Sequence, residues 1–180
     1  HFPAPFGAAI NGVEGLERTG GGTYLAAKGN RLAEFASGLQ FQQRSFTTDL
    51  QTEMVGLTLV GNAVYVADTL NNRIYKTSLP SDFLVTKDPL GLTYDGTNLW
   101  ILVDATPMDK ILKVNPAGGA LLDRFFAPDD DTEDIVWLNN ALYVAVNDND
   151  HGPQTQRTIE KISPANGSSL ATLSVSFFDI

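Results

Sequence analysis

The stretch AVYVADTLNNRIYKT, residues 63–77, decides how the chain is read. Ala63 to Ala67 is apolar and rich in β-branched or aromatic side chains, Asp68 to Asn72 are turn formers, and Arg73 to Thr77 alternate again. Two strands around a polar loop are what such a pattern supports. A lone hairpin has one apolar face and nothing to bury it against, so it does not stand by itself in water. The rest of the chain has to supply the cover.

It does so by repetition. GLTLVGNAVYVAD (56–68) aligns in order and residue type with GLTYDGTNLWILVD (91–104); DIVWLNNALYVAVN (134–147) is a third copy and GLERTGGGTYLAAK (15–28) a degenerate fourth. The anchors Gly15, Gly56, Gly91 and Asp134 are spaced by 41, 35 and 43 residues. Each unit shares one grammar, seen at 91–94 (strand A), 99–103 (strand B), 110–114 (strand C) and 120–125 (strand D). Residues that tolerate positive φ join A to B, and a polar loop joins B to C. Strand C recurs at 31–35, 73–77 and 158–162, and the second turn reads NPAGG at 115–119 and SPANG at 163–167. Four strands in every ~40 residues, with no helical period, predict an all-β protein: a β-propeller of four-stranded antiparallel blades. The blades are expected near 13–53, 54–88, 89–131 and 132–173. A β-sandwich also uses short strands and frequent turns, but does not require the same wording four times over.

One more period from Asp134-Ile135 reaches Asp179-Ile180, so residues 174–180 are expected to begin a next blade or to close the ring. An open arc of blades leaves strand edges and apolar faces uncovered. The expectation is therefore completion by other copies or by a second chain, or an arc of a longer wheel, ahead of a small closed ring.

At 180 residues the chain is long enough for one domain that buries roughly 70% of its unfolded surface. The hydrophobic fraction is ordinary at 43%, while the charged fraction of 18% lies below the usual ~25%. A net charge of −9 offers no basic patch, which argues against nucleic acid and anionic membranes and leaves cations, basic proteins and neutral sugars open. There is no cysteine, so disulfides and thiolate sites are excluded. No apolar run approaches the ~18 residues of a membrane span. The sequence opens on His1-Phe2-Pro3 rather than Met, as a processed or truncated chain would, which favours an exported protein, extracellular or periplasmic.

VYVADTLNNRIYK resembles the NHL-repeat signature, and GLTYDGTNLWILVD with KILKVNPAGGALL resembles bacterial NHL-like and streptogramin-lyase-like propellers. The resemblance covers residues 13–173 and implies the propeller fold, with about six blades in relatives of this kind. Enzymes, sugar and protein binders and structural modules all use it, so it implies no single activity. VEGL at 13–16 resembles the Glu-Gly entry of calcium-dependent lactonase-like propellers, which implies a metal-holding role for Glu14, although Leu16 stands where proline is usual.

In a propeller the D–A and B–C loops emerge on one face. Here that face is acidic. APDDDTED (127–134) has five carboxylates in the six positions from Asp129 to Asp134, and NDNDHGPQTQ (147–156) is the B–C loop of the same blade. Asp68, Asp104 and Asp109 lie in B–C loops as well. This is either a solvated acidic rim or a Ca²⁺ site drawing on Asp129, Asp131, Glu133, Asp134, Asp148 and Asp150 together with Glu14. Hard cations take about six to eight oxygen ligands, and crowded carboxylates repel unless a cation compensates them. No EF-hand frame is present. Glu14 and Glu133 hold equivalent places, one residue before the strand-A anchor.

His151, in the same acidic loop, is either a surface residue or a candidate proton shuttle or metal ligand. Lyase-like chemistry needs a positioned histidine base, and His151 is the one weak candidate. No Gly-x-Ser-x-Gly elbow, zinc helix or phosphate loop occurs. Asp68, Asp104 and Asn147 end strand B and are expected to cap turn N–H groups. Trp100, Trp137, Tyr65 and Tyr143 are read as packing residues rather than sugar platforms, and Asn166-Gly167-Ser168 fits the N-glycosylation sequon. The function expected is a non-enzymatic, exported binding or assembly module that contacts protein or carbohydrate through its loop face and strand edges, with Ca²⁺ as a stabiliser. The alternative is a fragment or subunit of a calcium-dependent lactonase- or lyase-like enzyme with an axial active site.

Overall fold

A computed structural model describes residues 15–18, 24–28, 31–35, 42–47, 54–61, 63–76, 83–84, 88–148 and 156–175. These residues form four antiparallel sheets of four strands, each sheet in simple chain order, with no helix among the described residues. The first sheet is β1 (Gly15–Arg18), β2 (Tyr24–Lys28), β3 (Arg31–Phe35) and β4 (Gln42–Thr47). The second is β5 (Met54–Val60), β6 (Ala63–Asp68), β7 (Arg73–Lys76) and β8 (Phe83–Leu84). The third is β9 (Pro89–Tyr94), β10 (Leu99–Val103), β11 (Lys110–Val114) and β12 (Leu121–Phe126). The fourth is β13 (Thr132–Leu138), β14 (Ala141–Asp148), β15 (Gln156–Ile162) and β16 (Ser169–Ser174). The chain divides into two compact units, His1–Asp88 and Pro89–Ile180, with two sheets in each.

Turn chemistry explains the meander. Between β9 and β10, the Asp95 Oδ1 accepts the backbone N–H of Thr97 at 2.8 Å and of Asn98 at 2.7 Å, while Oδ2 accepts Trp100 Nε1–H at 2.8 Å. Burial disfavours the Asp95 anion, but these hydrogen bonds outweigh it and hold the carboxyl below its ordinary range. Between β13 and β14 the turn is Asn139-Asn140, with φ of 49° and 60°, the positive pair that matches the twist of a two-residue hairpin. Asn115 N–H donates to Ala120 O at 2.9 Å and Gly119 N–H to Asn115 O at 2.8 Å. This turn absorbs Ala120, so strand D starts at Leu121, one residue later than its sequence pattern suggests. Strands B and C of the third blade fall on the predicted residues. Strand A of the fourth blade begins at Thr132, so Glu133 and Asp134 lie within the strand, at a register shift, rather than ahead of it.

Each unit has its own core. In the second, Trp100, Leu102 and Ile111 of the third sheet meet Ile135, Leu142, Val144, Val146 and Ile162 of the fourth. Trp100, 1% exposed, stacks on Trp137 with ring centroids 6.4 Å apart. In the first, Leu25 packs with Met54, Leu57 and Val66. Each fully buried aliphatic side chain of this kind contributes roughly 1.5–3 kcal/mol.

Within each unit the two sheets approach each other closely along their A strands. A Cβ on Gly15 would stand 3.3 Å from Gly56 Cα, and one on Gly91 would stand 3.2 Å from Asp134 Cα and collide with the Asp134 carboxylate. Beside Gly91, Thr93 Oγ1 accepts the Trp137 N–H at 2.9 Å, tying β9 to β13. A missing side chain and a correctly placed hydroxyl thus let one sheet receive the next.

Candidate functional site

Asp129, Asp131, Glu133 and Asp134, expected to hold a cation, lie at the loop end of the fourth sheet. Asp129 is half-buried and uses Oδ1 to accept the N–H groups of Asp130 (2.8 Å) and Asp131 (3.2 Å), an Asx-type turn. The carbonyl of Asp131 accepts Asn147 N–H at 2.9 Å. Glu133 is exposed; its Oε1 accepts Asn147 Nδ2–H at 3.2 Å, and Asn147 Oδ1 accepts Arg157 Nε–H at 3.2 Å. A polar chain therefore runs across β13, β14 and β15 at the loop end of the fourth sheet.

Asp134 turns its Oδ1 back onto the Ile135 N–H at 2.8 Å, against Gly91. Burial by surrounding protein pushes its carboxyl up to about 6, against the opposing pull of that hydrogen bond. Water still reaches the side chain, which screens the effect. Asp148 lies in β14, paired with Gln156, and its side chain is outside the described residues, as are Glu14, Asp150 and His151. Among the described residues no three carboxylates or histidines converge as a metal site would require. The described members of the calcium set are engaged in turns and cross-strand contacts.

The B–C loops show why other aspartates are present. Asp68 is buried and accepts the Asn71 N–H at 3.3 Å and Asn71 Nδ2–H at 2.8 Å, the capping role predicted for it. Asp104 is exposed. Asp109 is the residue whose role sequence reasoning missed. It is 3% exposed, and its Oδ2 accepts the Thr132 hydroxyl at 2.5 Å and the Thr132 N–H at 3.3 Å, while Oδ1 accepts Ala105 N–H at 3.1 Å. Burial raises the Asp109 carboxyl, with help from the nearby Asp104 charge, and the hydrogen bonds pull it back only in part. A loop of the third blade is thereby clamped to the first strand of the fourth. No local signal marks this pair, since its members lie far apart in the chain.

A cavity of about 230 Å³ opens between the Pro128-Asp129 loop and the fourth sheet, lined by Asp129, Val146, Thr158, Glu160, Ile162 and Ser169. Glu160 Oε2 accepts the Ser169 hydroxyl at 2.8 Å. The alternation Thr158, Glu160, Ile162 could have placed this glutamate on the inner side of the sheet, where a charged residue is unusual. Asn166 is exposed and its Oδ1 accepts both the N–H (3.1 Å) and hydroxyl (2.9 Å) of Ser168. Of the aromatic residues, Trp100 and Tyr65 are buried and Trp137 half-buried, as packing residues should be; Tyr143 is half-buried on the far face of the fourth sheet.

That far face leaves apolar side chains open to water. Val136, Leu138 and Leu173 are 51%, 53% and 63% exposed. They share the face with Tyr143, Ala145 and Ile159, as the cross-strand pairs Val136–Tyr143, Ala145–Ile159 and Ile159–Leu173 require.

In structure the chain is similar to Myxococcus xanthus glutaminyl cyclase, with a TM-score of 0.70 and 15% identity over 89% of this chain and 69% of the cyclase. It is also similar to the WD40 domain of Neurospora crassa Pan2, with a TM-score of 0.64 and 9% identity over 89% of this chain and 49% of that one. BamB from Moraxella catarrhalis follows with a TM-score of 0.52 and 12% identity, covering 92% of this chain and 53% of BamB. These are propeller proteins. The chain is built of β-propeller blades. It spans about two thirds of the cyclase and about half of the other two. Such low identities carry the fold and nothing finer. No protein-family model matches the chain, and no curated protein matches it in sequence. The NHL-repeat and streptogramin-lyase-like resemblance therefore holds at the level of the propeller fold.

Proposed function

We propose that this chain is a non-enzymatic propeller module of an exported protein, one that works by binding and assembly. The observation that carries this is the exposed apolar face of the fourth sheet, with Val136, Leu138 and Leu173 each more than half exposed. Contiguous apolar surface rimmed by polar residues marks interaction sites on soluble proteins. The partners are a protein surface or carbohydrate. A glycan would suit the acceptor-rich cavity of Asp129, Thr158, Glu160 and Ser169, which has Val146 and Ile162 as an apolar floor. Ca²⁺ enters as a stabiliser of the acidic loop face, held with the help of Glu14, Asp148 and Asp150, and not as a reagent.

Native mass spectrometry over a range of concentrations, with and without a calcium chelator, tests this together with a glycan array. Assembly above 19.4 kDa or selective glycan binding is expected, with His151→Ala without effect on either. A chain that stays monomeric, ignores glycans and turns over a lactone in a manner lost on Glu133→Gln would establish the enzyme instead. A melting temperature that does not rise in millimolar Ca²⁺ would remove the ion.

A further inference from the structure

We propose that the outward face of β13–β16, carrying Val136, Leu138, Tyr143, Ile159 and Leu173, pairs with the same face of a second copy of this chain. The inference rests on the assembly arm of the function above and names its surface.

The fourth sheet covers one face of β9–β12. Equivalent positions follow from the cross-strand pairs. Thr93 opposes Trp100, which opposes Lys113; Val136 opposes Tyr143, which opposes Lys161. Leu102 opposes Ile111 as Ala145 opposes Ile159. Both faces keep a lysine over an aromatic ring, Lys113 on Trp100 at 5.0 Å and Lys161 on Tyr143 at 5.8 Å. The fourth sheet therefore presents a surface built to be covered by a sheet.

It is not built to be covered in the same way. The two features by which β9 receives β13 are Gly91 and the Thr93 hydroxyl. Their counterparts on β13 are Asp134 and Val136. Asp134 has a Cβ where close strand approach needs no side chain, although its carboxylate turns back toward Gly91, and Val136 has no oxygen to accept an incoming N–H. An A strand seated as β13 sits on β9 would crowd that side chain and leave a buried N–H unpaired, each unfavourable. Contact through side chains, sheet face on sheet face at about 10 Å, avoids both.

Charge selects the occupant. The chain carries −9, so most surfaces of two copies repel. At the rim of this face the Glu133 carboxylate is linked through Asn147 to Arg157, and Lys161 adds a positive charge, so two copies meet here without that penalty. A two-fold pairing also covers both apolar faces at once and closes the assembly.

Light scattering on eluted protein over about a hundredfold range of concentration tests the pairing. A mass of twice 19.4 kDa is expected, with Leu138→Asp or Val136→Asp weakening the dimer about tenfold or more and Leu121→Asp, on exposed β12, leaving it intact. Because the chain has no cysteine, single Val136→Cys, Leu138→Cys and Tyr143→Cys variants report proximity to a two-fold axis. At least one should form a disulfide-linked dimer faster than Leu121→Cys. A dimer that survives both aspartate variants, their folds verified by circular dichroism, or cysteine variants no faster than the Leu121→Cys control, overturns this face and leaves the binding module standing. A wild-type chain that stays monomeric yet binds glycan does the same. Lactone turnover lost on Glu133→Gln would instead overturn the module.

Discussion

The second unit holds two faces of nearly the same design with opposite fates. On the third sheet, Trp100, Leu102 and Ile111 are buried under the fourth; on the fourth sheet, Tyr143, Ala145 and Ile159 occupy the matching places and stay partly open to water. The difference is concentrated on the innermost strand, where Gly91 and Thr93 give way to Asp134 and Val136. Apolar content alone does not decide whether a sheet face receives its neighbour. Backbone access and a partner for each buried N–H decide it as well.

The largest expected effect lies in the covered face. Trp100→Ala should cost about 3–5 kcal/mol in urea unfolding, because it opens a cavity and removes the stack on Trp137. Leu138→Ala, half exposed, should stay within about 1 kcal/mol in a dilute monomer. Equal losses would show that the two faces are covered alike.

Gly91→Ala should follow, at about 1–3 kcal/mol, since its Cβ meets both the side chain and the backbone of Asp134. Combining it with Asp134→Gly should recover part of the loss, and strict additivity in the double-mutant cycle would show that the close approach does not matter.

Thr93→Val should cost about 1–2 kcal/mol, by leaving the Trp137 N–H without its acceptor. The reverse change on the open face, Val136→Thr, should alter stability by no more than about 0.5 kcal/mol in the monomer. If the two substitutions behave alike, the hydroxyl is not what distinguishes the faces.

The smallest effect is the pH dependence at Asp134. Its folded carboxyl stands near 6 against an ordinary value of 3.8, so the native state keeps a proton that the unfolded chain has released. Its contribution is fully present below about pH 3.8 and is lost as pH rises through about 6. The melting temperature of Asp134→Asn relative to wild type should therefore improve across that window. Solvent access keeps the change small, and a flat difference would place the carboxyl at its ordinary value.

Much of this was legible in the chain. The repeated Gly-Leu-Thr of 56–58 and 91–93, set against Asp-Ile-Val at 134–136, already holds the contrast between the two faces in its letters. Strand boundaries were readable to within a residue or two where alternation and turn formers agree, as at 99–103 and 110–114. The candidate site was less so. Carboxylates crowded in sequence from Asp129 to Asp134 proved to point into separate hydrogen bonds, because successive residues of a strand or turn face different ways. The buried Asp109–Thr132 clamp left no trace, its members being brought together only when one sheet docks on another.

By itself, then, the sequence determined the strands, their order and the blade, since these depend on local alternation and on turn residues a few positions apart. Tertiary structure alone decided which carboxylates meet, which faces are buried and which stays open. Those outcomes depend on how closely two backbones can approach, and that distance is set by side chains more than forty positions apart, such as Gly91 and Asp134.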